Sequence, residues 1–187
     1  MRYYLSLGSN LGNRKKNLAL ASTLLAEEGI EIIRASSIYR TQPVDYADQP
    51  WFYNQVLEVD TALDPLTLLG QLKSIETRMK RLPTVDKGPR TIDIDILLAG
   101  KTVIQTRKLM IPHPRMCLRN FVLVPLDEIA PDAVHPLLHA RIEELMSRTG
   151  DPSVVRKLAS RRETKHDRTA AAGPSRGGVA IAPLPAH

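Results

Sequence analysis

The chain has 187 residues, of which 43% are apolar and 25% are charged, a composition typical of a water-soluble globular domain. Its single cysteine excludes an internal disulfide framework and a zinc site built from several cysteines. No apolar run approaches the roughly 18 residues that a membrane-spanning helix needs, so the sequence predicts a cytoplasmic protein that makes no membrane contact. The net charge is +6, which is typical of many nucleic-acid-binding proteins.

The C-terminal segment differs in composition from the rest of the chain. It opens on a basic run (161–165) and continues in Ala, Gly, Pro and Ser with almost no large apolar residues. Such a segment cannot bury enough apolar surface to offset the entropy lost on ordering. We therefore predict a folded domain over residues 1–159 and a disordered basic tail over residues 160–187. A solvated, passive tail is favoured over one that binds RNA or a membrane.

Turn residues and hydrophobic periodicity predict an alternation of strands and helices. The clearest helix starts at Asp64-Pro65, because Asp is a good N-cap and Pro suits the first helical position. Its buried face is the apolar stripe Leu68, Leu72, Ile75 and Met79. The predicted elements are a strand (3–7), a turn (8–13), a helix (16–28), two strands (31–39 and 52–61), the helix from Pro65, a strand (92–98), a short strand (103–104) and two short helices (120–129 and 142–147). This order predicts an α+β, ferredoxin-like sandwich, a mainly antiparallel sheet with helices packed on it.

The strand over residues 92–98 carries two carboxylates in the pattern Asp-x-Asp. Because side chains alternate along a strand, Asp93 and Asp95 project from one face while Ile92, Ile94 and Ile96 enter a core. Two such carboxylates can bind Mg²⁺ together, and without a cation they repel each other. On spacing alone, a pair of ordinary surface or capping carboxylates is the more frequent explanation.

Basic residues surround this strand in the sequence. Arg81 and Arg90 precede it, and His113, Arg115 and Arg119 follow it in a proline-punctuated loop. Two acids with several arginines have the composition of a magnesium–polyphosphate site, in which guanidinium groups bind the phosphate oxygens that the metal leaves free. Surface salt bridges between the same residues are the competing interpretation, and His113 alone is equally consistent with a structural loop histidine.

Two segments rich in glycine or proline give weaker evidence about function. The stretch 8–12 matches neither the phosphate-binding loop nor the dinucleotide fingerprint, and a tight turn explains it as well. The loop 41–51, rich in proline and aromatic residues, fits a ligand lid and an ordinary connection about equally well.

Four sequence blocks stand out when they are taken together. They are Leu7-Gly8-Ser9-Asn10-Leu11-Gly12, then Ser36–Thr41 with Asp48-Gln49-Pro50 and Asn54, then Gly88-Pro89-Arg90-Thr91-Ile92-Asp93-Ile94-Asp95-Ile96-Leu97, and finally Ile111-Pro112-His113-Pro114-Arg115 with Arg119, Phe121 and Pro125-Leu126. In this order the blocks resemble the 6-hydroxymethyl-7,8-dihydropterin pyrophosphokinase family. The resemblance covers about residues 1–147, and the third block is highly specific when it occurs in this order with the others.

The resemblance implies a ferredoxin-like fold and a reaction that transfers pyrophosphate from ATP to the pterin hydroxymethyl group, releasing AMP. It also implies two Mg²⁺ ions bound by Asp93 and Asp95, and we expect a monomer. The implied ATP-binding residues are Glu76, Arg81, Arg90, Lys108, His113 and Arg119. The implied pterin-binding residues are Thr41, Pro43, Val44, Phe52, Asn54 and Phe121. The implied catalytic residues are Arg81, Arg90, Asp95 and Arg119.

Three lysines depart from the family pattern, and they concern nucleotide contacts rather than the reaction. Lys80 and Lys87 replace the glycine and the aromatic residue usual in the loop before the acidic strand, and Lys108 replaces an arginine. An alternative function is a basic RNA-binding module that uses the sheet and the tail. Aromatic residues make up only 4% of the chain and the best strand carries aspartates that repel phosphate, so this alternative ranks well behind.

Overall fold

The computed structural model describes residues 1–44, 48–79 and 88–159. The predicted tail (160–187), Arg81 and the other residues from Lys80 to Lys87 lie outside the described residues. The strands are β1 (Arg2–Ser9), β2 (Glu31–Ala35), β3 (Tyr39–Thr41), β4 (Phe52–Asp60), β5 (Asp93–Leu98), β6 (Ile104–Gln105), β7 (Met110–Ile111) and β8 (Val155–Lys157). The helices are α1 (Arg14–Glu27), α2 (Pro65–Arg78), α3 (Asn120–Ile129) and α4 (Ile142–Arg148), with a 3₁₀ turn at Met116–Leu118.

The main sheet has the order β5-β1-β4-β3-β8, and β2 pairs with β4 next to β3. Each strand pairing within the described ranges is antiparallel. The first and last strands of the β-α-β-β-α-β unit, β1 and β5, lie side by side, as a ferredoxin-like sandwich requires. The α+β prediction with a mainly antiparallel sheet is confirmed. Among the described residues, no helix is long and apolar enough to cross a membrane.

One face of the sheet, here called the helix-pair face, packs against α1 and α2. The predicted cap of α2 is present, since the Asp64 carboxylate accepts hydrogen bonds from the backbone N–H groups of Leu66 and Thr67. All members of the predicted apolar stripe are buried, and they meet Ile94 and Ile96 of β5 and Ile92, which directly precedes it. The alternation predicted for β5 is therefore confirmed on its apolar side.

The opposite face of the sheet is covered only in part. A second apolar cluster joins Val56 and Leu97 to Val122 and Leu126 of α3 and to Leu145 of α4. On the same face, Ser6, Gly8 and Asn54 line a cavity, and we call this side of the sheet the cavity face.

The prediction of one continuous strand over residues 31–39 is wrong, because β2 and β3 are separated by Ser36–Ile38. At the break, the backbone N–H of Ser36 donates to the carbonyl of Val56, and the Ser36 hydroxyl accepts from the Val56 N–H at 3.0 Å. A side-chain oxygen thus takes a backbone partner, which interrupts the regular pairing.

A partly exposed carboxylate on α3 ties that helix to the sheet. Glu128 accepts hydrogen bonds from the Ser37 N–H and hydroxyl, from the Tyr39 hydroxyl at 2.9 Å and from Lys157 at 2.7 Å. Desolvation by itself would raise the pKa of Glu128, but these donors lower it to about 2 from an ordinary value of 4.5. Because the folded state holds the ionised form, the stabilisation is complete above pH 4.5 and is lost as the pH falls through 2.

We expect Glu128→Gln to lower the free energy of unfolding by about 1–2 kcal/mol at neutral pH, since solvent screens this partly exposed site. The difference from wild type should shrink as the pH is lowered from 4.5 toward 2. Urea unfolding at several pH values measures it, with the exposed α1 carboxylate of Glu27 changed to Gln as the control. A difference independent of pH would show that the charge of Glu128 does not carry the effect.

Candidate active site

A cavity that is open to solvent lies on the cavity face of the sheet. Residues from four separate parts of the chain meet there: β1, the segment from β3 to β4, the start of β5 and the start of α3. The cavity is lined by Ser6, Gly8, Thr41, Gln42, Pro43, Val44, Gln49, Phe52, Asn54, Arg90, Asp93, Asp95, Arg119 and Phe121.

The acidic end of the cavity follows directly from strand register. Ser6 lies opposite Asp95, and Gly8 lies opposite Asp93, so both carboxylates share the cavity face with two small residues. Burial, followed by the charge of the neighbouring Asp93, raises the pKa of Asp95 to about 6. The two acids therefore repel each other in a partly desolvated place, which a bound cation would relieve.

Arg90 lies at the mouth of this acidic end. Its guanidinium donates to the Asp93 carboxylate at 2.6 Å, and both side chains are largely buried. The Asn10 side chain accepts from the Arg90 N–H at 2.7 Å and donates to the side chain of Gln49 and the carbonyl of Pro50. Asn10 thus links the loop before β4 to the residues that precede β5.

A second cationic group enters from the start of α3. Arg119 is 9% exposed, and its guanidinium lies 5.3 Å from the centre of the Phe121 ring. Nearby, burial and then the charges of Arg119 and Arg115 lower the pKa of His113 to about 4, so this imidazole is neutral at physiological pH. The His113 Nδ1 accepts from the Arg115 N–H at 3.2 Å, which leaves Nε2–H as a donor.

The other end of the cavity is apolar with one buried polar pair. Asn54 donates from Nδ2 to the Thr41 hydroxyl at 2.6 Å, and both residues are almost fully buried. Gly8 closes the floor, because a Cβ there would lie 2.8 Å from Asn54 Oδ1 and 3.7 Å from the Phe52 ring. Phe52 and Phe121 supply two aromatic side chains to the lining.

Ten of the predicted site residues line this one cavity. They include members of the implied ATP-binding, pterin-binding and metal-binding sets, and seven of them belong to the second, third or fourth sequence block. They are Thr41, Pro43, Val44, Phe52, Asn54, Arg90, Asp93, Asp95, Arg119 and Phe121.

Three other predicted residues lie elsewhere in the described structure. Glu76 is buried under β5 on the helix-pair face, where it accepts from the Ile94 N–H at 2.8 Å and from Lys73. Lys108 is exposed between β6 and β7, and His113 is not among the cavity-lining residues. Glu76 therefore holds edge strand β5 in place, and a direct ATP contact by any of the three stays a prediction.

Several residues that build the cavity or support it have no role predicted from the sequence. The sequence predicts that Gly8 lies in a turn, yet it lies in β1 and gives Asn54 its space. Ser6 and Gln49 line the cavity and Asn10 supports its edge, and none of the three has a predicted role. The glycine at position 8, directly after an alternating strand, was the available signal, because glycine inside a strand often marks a close approach of another group.

No group of three or more His, Cys, Asp or Glu in the described ranges is arranged to hold a metal ion. Asp93 and Asp95 are therefore a two-carboxylate pair. Mg²⁺ is usually bound in this way, through one or two carboxylates with substrate phosphates and water completing its shell. The raised pKa of Asp95 fits that arrangement, since burial and the charge of Asp93 disfavour its ionised form and a bound cation would favour it.

Two solved structures with the same fold belong to larger proteins. A structure described as HPPK-DHPS in complex with substrates aligns over 78% of this chain and 43% of that one, with a TM-score of 0.63 and 19% identity. Wild-type Plasmodium falciparum HPPK-DHPS with pteroate aligns over 78% of this chain and 42% of that one, with a TM-score of 0.64 and 19% identity. At this identity the likeness establishes the α+β fold alone.

Sequence comparison identifies the family within that fold class. Residues 4–131 match the family model of 7,8-dihydro-6-hydroxymethylpterin-pyrophosphokinase (HPPK). The chain belongs to this family. A Haemophilus influenzae 2-amino-4-hydroxy-6-hydroxymethyldihydropteridine pyrophosphokinase is 38% identical over 82% of this chain and 96% of its own length. The Bacillus subtilis protein of the same name is 46% identical over 67% of this chain and 76% of its own length.

Other relatives are much longer. The folic acid synthesis protein fol1 of Pneumocystis carinii is 42% identical over 81% of this chain, and the match spans 20% of its length. The Schizosaccharomyces pombe protein of the same name also matches over 20% of its length. The chain thus spans about one fifth of these fungal relatives, and it corresponds in extent to the bacterial ones.

Proposed function

We propose that this protein transfers the pyrophosphoryl group of ATP to the hydroxymethyl oxygen of 6-hydroxymethyl-7,8-dihydropterin, giving the pterin diphosphate and AMP for tetrahydrofolate synthesis. One observation carries the proposal. A buried Asn–Thr pair with two phenylalanines, and an Asp pair with two arginines, line the same cavity within the span of the family match. A flat heterocycle and a polyphosphate can therefore be held side by side.

The apolar end is suited to the pterin. Phe52 and Phe121 offer ring faces to a flat heterocycle, and stacking on aromatic faces is favourable for such a ring. Asn54 supplies amide groups for its polar edge and is held in one orientation by Thr41. Pro43 and Val44 close the side of the pocket. A fixed orientation of the ring places its hydroxymethyl group toward the acidic end.

The acidic end is suited to the triphosphate. Arg90 and Arg119 present guanidinium groups that can pair bidentately with phosphate oxygens as negative charge shifts toward the leaving AMP. Neutral His113 offers an uncharged N–H donor at the same loop. We retain the expectations that Arg81, Glu76 and Lys108 contribute to ATP binding, and Arg81 lies outside the described residues.

We further propose that Asp93 and Asp95 hold the Mg²⁺ expected of this family. The bound metal would neutralise phosphate charge and make the β-phosphorus a better electrophile. The metal would bind the ionised form of Asp95. Because the Asp95 side chain is largely buried, few water molecules compete for its carboxylate. Arg90 fixes the Asp93 carboxylate in position for the same purpose.

The remaining expectations concern the oligomeric state, the cellular compartment and the alternative function. We propose a monomeric, cytoplasmic enzyme. The RNA-binding alternative receives no support from the comparisons with known proteins. Asp93 and Asp95 also occupy the open face of the sheet, where they would repel a nucleic-acid backbone.

Pterin-dependent AMP release tests the proposed function. The purified protein is incubated with ATP and Mg²⁺, with and without 6-hydroxymethyl-7,8-dihydropterin, and AMP is quantified. We expect AMP only when the pterin is present, in a one-to-one ratio with the pterin diphosphate. AMP formation without the pterin, or none with it, would contradict the proposal.

A further inference from the structure

The last described segment of the chain lies outside the family match, which ends at residue 131. Residues 151–159, here called the C-terminal strap, add β8 to the edge of the sheet, where it pairs with β3. Within the strap, Val154 accepts a hydrogen bond from the Gln42 N–H at 3.0 Å, and Leu158 donates to Ile38. The strap therefore holds the strand that leads into the cavity wall.

The strap also holds the start of α3. Arg119 occupies the N-cap position of α3, and its side chain makes no capping hydrogen bond. The missing acceptor comes from Asp151, whose Oδ2 accepts from the Asn120 N–H at 2.7 Å. The Asp151 carbonyl also accepts from Asn120 Nδ2 at 2.7 Å. The first N–H groups of a helix have no intrahelical partners and are usually capped by a side-chain oxygen. Here the Asp151 carboxylate, 31 residues away in the sequence, caps the first turn of α3.

The carboxylate is itself held in place. Ser153 donates to it from its backbone N–H and from its hydroxyl, both at 2.8 Å. Desolvation would raise the pKa of Asp151, but the hydrogen bonds from Asn120 and Ser153, with the charge of Arg119, lower it. Asp151 is therefore ionised at neutral pH, and a negative group favours a helix N-terminus.

We infer that Asp151 is a positioning residue for the substrate cavity. Asn120 stands between Arg119 and Phe121, and both of these residues line the cavity. By fixing the first turn of α3, Asp151 sets where the guanidinium of Arg119 and the ring of Phe121 lie. The strap joins this turn to the cavity wall beside Gln42. The inference rests on the proposed function, because Arg119 and Phe121 act on the substrates that it names.

The test compares three variants within the strap, which are Asp151→Ala, Asp151→Asn and Ser153→Ala. Asp151→Ala removes the cap of α3, whereas Ser153→Ala removes one donor to the same carboxylate and leaves the Asn120 contacts. The dissociation constant of 6-hydroxymethylpterin is measured calorimetrically in the presence of Mg²⁺ and a non-hydrolysable ATP analogue, well below the unfolding temperature. We expect about a fivefold weaker pterin affinity in Asp151→Ala and an intermediate effect in Asp151→Asn. In Ser153→Ala the backbone N–H still donates to the carboxylate, so we expect a loss of less than about twofold.

Several results separate this inference from the alternatives. Unchanged pterin affinity in Asp151→Ala, or equal losses in Asp151→Ala and Ser153→Ala, would overturn it. Hydrogen exchange on the same samples should show faster exchange at the amides of Asn120 and Phe121 in Asp151→Ala only, and should do so even if the variant is less stable overall. A wild-type protein that releases no AMP with the dihydropterin would overturn the proposed function and, with it, this inference.

Discussion

Changing Asp95 to Asn is expected to lower the rate of AMP formation by about three orders of magnitude at saturating Mg²⁺. The side chain keeps its size and its place opposite Ser6 in the register of β1 and β5. It loses the negative charge that the metal needs, and a neutral amide oxygen is a weak substitute for a carboxylate. A steady-state assay of pterin-dependent AMP release measures the loss.

The same substitution should not lower the stability of the metal-free protein. Burial and the charge of Asp93 disfavour the ionised form of Asp95, so a neutral amide removes a repulsion from the metal-free protein. We expect the unfolding temperature of the metal-free variant to equal or exceed that of wild type. A loss of activity with unchanged or higher stability cannot be explained by misfolding. Asp132→Asn is the control, because that side chain is 84% exposed and pairs only with Arg141 in the described structure.

Near-normal AMP formation by Asp95→Asn would show that this carboxylate does not bind a required metal. The proposal for the acidic end of the cavity would then have to rest on Asp93 and the arginines alone. A variant that is inactive and also much less stable would contradict the predicted separation between the two effects.

The second large effect is expected from Gly8→Ala. The new methyl group would lie 2.8 Å from Asn54 Oδ1, well inside van der Waals contact. Asn54 cannot move aside without losing its 2.6 Å hydrogen bond with Thr41, and both side chains are buried. Because a small misplacement of a substrate-binding group has a large effect on rate, we expect kcat/KM for the pterin to fall about 100-fold.

Gly70→Ala is a matched control for this substitution. Gly70 lies on the exposed side of α2, and a Cβ there meets nothing within 4 Å. Alanine is the better helix former, so this variant should gain about 0.5–1 kcal/mol in the free energy of unfolding and keep its activity. Wild-type pterin kinetics in Gly8→Ala would mean that the ring does not occupy the floor formed by Gly8 and Asn54.

Local sequence signals predicted the parts of the fold that depend on local interactions. The Asp64-Pro65 start of α2 and the alternation of β5 follow from capping chemistry and from the two-residue period of a strand. Both are confirmed. The shared face of Asp93 and Asp95 follows from the same period, and the structure places both in one cavity.

Features that depend on distant partners were not predictable in the same way. The break between β2 and β3 arises because the Ser36 hydroxyl bonds to Val56, twenty residues away. The β8 pairing and the Asp151 cap join segments that no local periodicity relates. Gly8 shows the same limit, since its importance comes from the side chain of Asn54 on a neighbouring strand.

The central claim is that a pyrophosphoryl group passes intact from ATP to the pterin. It is tested most directly by following ATP labelled in its β-phosphate, with the pterin as acceptor. We expect the label to appear in the pterin diphosphate and the unlabelled α-phosphate to leave as AMP. Label recovered in ADP, with a pterin monophosphate as the other product, would contradict the account.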